Sequence, residues 1–134
     1  MGVTVKLDGW TPQPPPQQNS ETEAYRKLIV EAVNMLYAIN KQKTTPPFRP
    51  EPVSLAMIYT AIKNRIVALM LREEWKYLGW FDKAGVPHIR TKRWVDRRVN
   101  EAASEEYGAQ IVAVKAGYYI PKKEAENWLR CRKK

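Results

Sequence analysis

Residues 89–108 read IRTKRWVDRRVNEAASEEYG, and five cationic side chains, Arg90, Lys92, Arg93, Arg97 and Arg98, crowd the first half. Thr91 is a natural N-cap, because its hydroxyl can accept a hydrogen bond from a backbone N–H of the first helical turn. Trp94, Val95, Val99, Ala102 and Ala103 follow at helical spacing, and Gly108 can take the left-handed conformation that ends such a segment. The stretch therefore predicts an amphipathic helix over 91–107 whose apolar stripe is answered by a basic face. Positions 93, 97, 100 and 104 share the side opposite Val95, Val99 and Ala102, which places Arg93, Arg97 and Asn100 together. The competing reading is a solvated basic face relieved by Asp96 and Glu101.

Downstream, AQIVAVKAGYYIP at 109–121 holds two apolar, β-prone segments, QIVAV and YYI, around Lys115, Ala116 and Gly117. A three-residue connection with glycine third is a common hairpin loop. The last stretch, KKEAENWLRCRKK, reads as a short helix packed through Ala125, Trp128 and Leu129. Upstream, FDKAGVPHI at 81–89 reads as a loop punctuated by Gly85 and Pro87. Before it, SLAMIYTAIKNRIVALMLREEWKYLGW at 54–80 keeps a helical period from a cap at Ser54. It is either one long helix or a helix broken by a short strand at RIVALM, and a break near Asn64 or Met70 is preferred.

Four prolines in KTTPPFRPEP, residues 43–52, remove backbone donors and push their predecessors out of helical geometry. On the far side, Tyr25, Leu28, Ile29, Ala32, Val33, Leu36 and Tyr37 recur at helical spacing behind a cap at Ser20 or Thr22. DGWTPQPPPQQNSE, with four prolines and three glutamines, resists packing. The expected organisation is a flexible proline- and glutamine-rich tail over 1–20, an amphipathic helix over 21–43, a proline-rich linker over 44–52 and a domain over 53–134. The fold class is mainly α with a small β-hairpin (α+β).

Length and composition bound the rest. A chain of 134 residues holds one domain with a packed core plus a tail, and falls short of two domains of ordinary size. Apolar residues at 44% are enough for that core despite 28% charged ones. The net charge is +9, and two-thirds of it lies late in the chain: residues 90–134 carry 12 basic and 6 acidic side chains. A polyanionic partner meeting the C-terminal part is implied, because neutralised phosphates release condensed counterions. The single cysteine, Cys131, rules out an internal disulfide and suits a reducing compartment, so a cytoplasmic location is expected. No apolar run is long enough for a membrane span, and the N-terminus lacks the apolar core of a secretory signal.

Enzymatic readings fail on inventory. His88 sits in a loop, far in sequence from Cys131, without metal-ligand spacing, so no metal or cofactor is expected. Glu73 and Glu74, like Glu105 and Glu106, are adjacent on helices and point to different sides, which spoils a carboxylate dyad. No glycine-rich phosphate loop precedes a helix.

The order helix, helix, helix, hairpin, helix is that of a winged helix-turn-helix, whose second paired helix enters the major groove while the hairpin rests on adjacent phosphate. On this reading Arg93 and Arg97 match the O6 and N7 of guanine, and Asn100 matches N6 and N7 of adenine. Arg90, Lys92, Arg98 and Lys115 would contact phosphate. RRVNEAASEEYGAQIVAVKAGYYIPKKEAENWLR, residues 97–130, resembles the C-terminal half of small winged-helix proteins of bacteriophages and prophages. There an arginine-rich helix leads through a YG turn to a GYYIP hairpin. The resemblance covers about residues 91–130; here YGAQI lacks the family's usual proline, and FDKAGVPHI replaces its usual tight turn. It implies sequence-selective binding of double-stranded DNA, in phage replication or transcription control within the host cytoplasm.

Two rivals stand beside that reading. One is an adaptor that binds a host protein such as RNA polymerase, or a replication or packaging component, through Tyr77, Trp80 and Phe81, which crowd with Trp75. The other is a homodimer formed through the helix of residues 22–41, which would double the DNA footprint.

Overall fold

The computed structural model describes residues 16–71 and 90–133. Four helices, α1 (Pro16–Gln42), α2 (Leu55–Leu71), α3 (Lys92–Ala102) and α4 (Ala125–Arg130), accompany three strands, β1 (Val53–Ser54), β2 (Ile111–Lys115) and β3 (Tyr118–Pro121). The strands form one antiparallel sheet in the order β1-β3-β2. The fold is mainly helical with a small sheet, as the sequence predicts, although β1 has no counterpart in that expectation.

The core forms around α1. Tyr25, Ile29, Val33 and Tyr37 recur every four residues along one side and are fully or almost fully buried, against Ile58, Ile62 and Ile66 of α2, Val95 and Val99 of α3, and Ile111 and Ile120 of the hairpin. Each such aliphatic side chain contributes roughly 1.5–3 kcal/mol on leaving water. Helix α1 packs on α3, α2 and β3 together, so it is the central element of the domain. The apolar stripe of α1 is core, the role its periodicity favours over a dimer seam, and α1 shares that core with the elements that follow Val53.

Helix α1 also starts earlier than expected, taking in residues 16–20 that were assigned to the tail. Proline is accepted in a first turn, where its missing N–H would have no intrahelical partner anyway, and glutamine is a good helix former.

Helix α2 is capped as predicted: the Ser54 Oγ accepts a hydrogen bond from the Met57 N–H at 3.2 Å. It runs unbroken through Asn64 to Leu71. The apolar run at 65–70 is helical because Ile58, Ile62 and Ile66 stand four apart and share the buried side; burial decides what β-propensity left open.

The proline-rich stretch after α1 is docked to the C-terminus. Arg49 Nε donates to the Trp128 carbonyl at 2.8 Å and its Nη2 to the Leu129 carbonyl at 3.0 Å, while the guanidinium lies 4.3 Å from the centre of the Trp128 ring. The Trp128 indole donates to the Pro50 carbonyl at 2.9 Å, and Arg132 and Pro47 join through a backbone bond of 2.8 Å. Ala125 and Trp128 pack on the core as expected, but Leu129 is 64% exposed. Helix α4 has fewer than two turns, and only one side of it meets the domain.

In the hairpin, β2 extends through Lys115, so the turn narrows to Ala116 and Gly117, with an irregularity in register between Ala113 and Lys115. Gly117 has φ +80°, the left-handed geometry expected of it. Its carbonyl accepts from the Leu55 N–H at 3.1 Å, tying the turn to the start of α2. No described helix is long and apolar enough to cross a membrane.

Candidate nucleic-acid interface

Helix α3 begins where sequence predicts. The Thr91 Oγ1 accepts from the Trp94 N–H at 3.2 Å, and Val95, Val99 and Ala102 turn inward. It ends at Ala102, short of residue 107; a single 3-10 turn, capped by Ser104, then reaches Gly108 at φ +82°.

The five basic residues of this region divide into two groups. Arg90 is drawn inward: its Nε donates to Glu21 Oε2 at 2.8 Å, and its Nη2 pairs with the other carboxylate oxygen of the same residue. The hydrogen bond to the Glu21 carboxylate pushes the Arg90 guanidinium pKa further up, against the pull of burial. The Arg90 backbone is also held, with its N–H donating to the Tyr25 hydroxyl and its carbonyl accepting from the Tyr59 hydroxyl, each at 3.3 Å. Arg98 pairs with Glu101 at 3.1 Å, and Glu101 also takes Arg26 of α1 at 2.9 Å. Both guanidiniums lie over Trp94, with Arg90 4.8 Å and Arg98 4.6 Å from its ring centre, and the indole meets Tyr25 edge-on at 4.8 Å. A cation over an indole face is attracted by the ring quadrupole. Arg90 therefore ties the start of α3 to α1, Arg26 makes a second tie through Glu101, and Arg98 braces Glu101 and Trp94 within α3; phosphate contacts from Arg90 or Arg98 would compete with these partners.

Arg93 and Arg97 lie on the other side. Both are exposed, and neither has an acidic partner among the described residues. Lys92 is exposed and only loosely paired, 3.7 Å from Asp96. Asn100 joins the same face, as the spacing predicts, but has a partner that sequence reasoning missed. The Tyr119 hydroxyl of β3 donates to its Oδ1 at 2.8 Å. Burial, aided by the nearby Asp96 carboxylate, raises the Tyr119 pKa, so this hydroxyl stays a donor. The bond joins α3's outer face to the hairpin. At the hairpin's end Lys115 is exposed, with its Nζ 4.5 Å from the centre of the Tyr118 ring. The structure thus brings Lys92, Arg93, Arg97 and Asn100 together on α3, with Lys115 on the hairpin that Tyr119 ties to it.

One of the missed partners was detectable. Glu21 stands four residues before Tyr25, in line with Ile29, Val33 and Tyr37, and a carboxylate on a buried stripe demands a cation. Tyr77, Trp80 and Phe81, proposed as a protein interface, lie outside the described residues, as does His88. Among the described residues no group of His, Cys, Asp and Glu could hold a metal ion. No family model, curated protein or solved structure matches the chain.

Proposed function

We propose that the chain is a double-stranded DNA-binding module of the winged helix-turn-helix type, with α3 in the major groove and the β2–β3 hairpin as the wing on neighbouring phosphate. The observation that carries this reading is the sorting of the arginines. Arg90 is paired with Glu21, and Arg98 with Glu101, which it shares with Arg26, whereas Arg93 and Arg97 project from one face without an acid among the described residues. Acids are thus spent where charge would be buried, and the outer face keeps a self-repelling pair that phosphate or a base acceptor relieves.

The chain order adds support. A strand ahead of α2 completes a hairpin behind α3 in the order β1-β3-β2, and α2 packs on α3. That is the scaffold a groove-entering helix and a wing require. The resemblance of residues 91–130 to phage and prophage winged-helix proteins points the same way, toward replication or transcription control.

Fluorescence anisotropy of a labelled duplex over a salt series tests the reading. Affinity should fall steeply between about 50 and 200 mM salt, with a log–log slope near −0.9 for each phosphate contacted. A flat salt response, or no binding at the lowest salt, overturns it.

A further inference from the structure

We propose that the outer face of α3 selects guanine over adenine, so that its ligand is duplex DNA with consecutive guanines along one strand of the major groove. This rests on the DNA-binding reading and extends it to the class of base. In the major groove guanine presents two acceptors, O6 and N7, whereas adenine presents the acceptor N7 beside the donor N6–H. Asparagine reads adenine only by using both ends of its amide, giving N–H to N7 and accepting N6–H at its oxygen.

Asn100 has less of that freedom. Its Oδ1 accepts the Tyr119 hydroxyl at 2.8 Å, and Tyr119 is itself 3% exposed, so the donor is fixed by the core. The amide is planar, so an oxygen turned to the hairpin leaves the nitrogen as the outward group. Arg93 and Arg97, its neighbours on the face, have donors and no acceptor at all. Asp96, a carboxylate on the same helix, is half-buried; its Oδ1 is shielded from solvent and its Oδ2 faces Lys92 at 3.7 Å. Ser104, on the same side, is half-buried with its oxygen accepting from the Glu106 N–H at 3.2 Å, so the groups offered outward are predominantly donors. Guanine's paired acceptors satisfy them; the N6–H of adenine meets a donor, and one of the two is left unpaired. An unpaired polar group in a closed interface is costly, which turns a missing complement into discrimination. Lys115, on the hairpin, reaches phosphate and is indifferent to sequence.

The test compares duplexes of equal length by anisotropy at one salt concentration: one with a run of guanines on one strand, one of A·T pairs, and the guanine duplex with 7-deazaguanine, which lacks the N7 acceptor and keeps its pairing. The intact protein should bind the guanine run at least about tenfold more tightly than the A·T duplex. The deaza substitution should bring the guanine run down toward the A·T value. Tyr119→Phe, which frees the Asn100 oxygen, should raise A·T affinity and narrow the ratio. Asn100→Ala, at an exposed position, should narrow it by weakening the guanine duplex, and serves if the Phe variant fails to fold. Binding that persists with equal or reversed preference, that ignores the N7 deletion, or that keeps its full ratio in both variants overturns the proposal while leaving DNA binding intact. Loss of binding to every duplex overturns the DNA-binding reading and this proposal with it.

Discussion

Arg90, Arg93, Arg97 and Arg98 are chemically one residue type, and their partners give them different work. Glu21 is 5% exposed, a position a carboxylate occupies only when paired, and Arg90 supplies two hydrogen bonds to it. Arg90→Ala leaves that charge buried and alone, so a stability loss of about 3 kcal/mol is expected by urea denaturation. Arg93→Ala and Arg97→Ala should do the reverse: no change in melting temperature, and duplex binding weaker by about 1–3 kcal/mol for each. Stability losses at Arg93 or Arg97 would contradict the division between clamp and face. At Gly117 the backbone itself is the constraint. An added Cβ would meet only Leu55 Cδ1, at an ordinary 3.7 Å, so the cost of a side chain comes from φ +80° and not from crowding. Gly117→Val should therefore destabilise the protein by about 1–3 kcal/mol, and Gly117→Asn by clearly less, because asparagine tolerates left-handed geometry. Equal losses in the two variants would remove the argument.

At the scale of elements, α1 decides the architecture. It has enough apolar residues to serve as a core or as a dimer seam, and amphipathicity cannot separate the two. Its contacts do: Ile29 is fully buried within the cluster that also holds Val95, Ile111 and Ile120. Ile29→Ala should cost about 2–5 kcal/mol, the range for deleting a buried aliphatic side chain. Because that burial is within one chain, the unfolding midpoint of the variant should not depend on protein concentration. A midpoint that rises with concentration would mean that α1 packs on a second copy. The stretch between α1 and β1 is a related case. Its prolines stop the helix, yet Arg49, Pro50 and Pro47 give and receive hydrogen bonds with Trp128, Leu129 and Arg132, so the segment behaves as a strap across the chain's end.

At the scale of the whole molecule, the buried tyrosines couple stability to alkaline pH. Burial, with Glu124 nearby, pushes the Tyr37 hydroxyl from 10.0 up to about 12, and burial likewise raises Tyr25 and Tyr119. The folded state thus favours the protonated phenol more than the unfolded chain does. This contribution is complete below pH 10, where both states are protonated. It fades between pH 10 and about 12, as the unfolded state ionises first. Urea midpoints should therefore hold toward pH 9.5 and fall above 10, with Tyr37→Phe flattening the decline. An unchanged slope in that variant would place the alkaline loss on other groups.

Much of this was legible in the chain because it is local. Thr91 and Ser54 as caps, the inward side of α3 and the positive φ of Gly117 follow from spacings of four residues or fewer, over which backbone geometry correlates neighbouring side chains. The same periodicity put Arg93, Arg97 and Asn100 on one face. It could not say which cations were free. Glu21 lies 69 residues from Arg90, Arg26 lies 75 from Glu101, and Tyr119 lies 19 from Asn100. The helical run at 65–70 was undecidable from sequence for a similar reason, since its β-prone residues become helical only when Ile62 and Ile66 find α1 and α3 to pack on. Periodicity determines which side of an element is apolar; only the tertiary structure, through the competition of distant groups for one another and for water, decides which charges are neutralised and which are left facing outward.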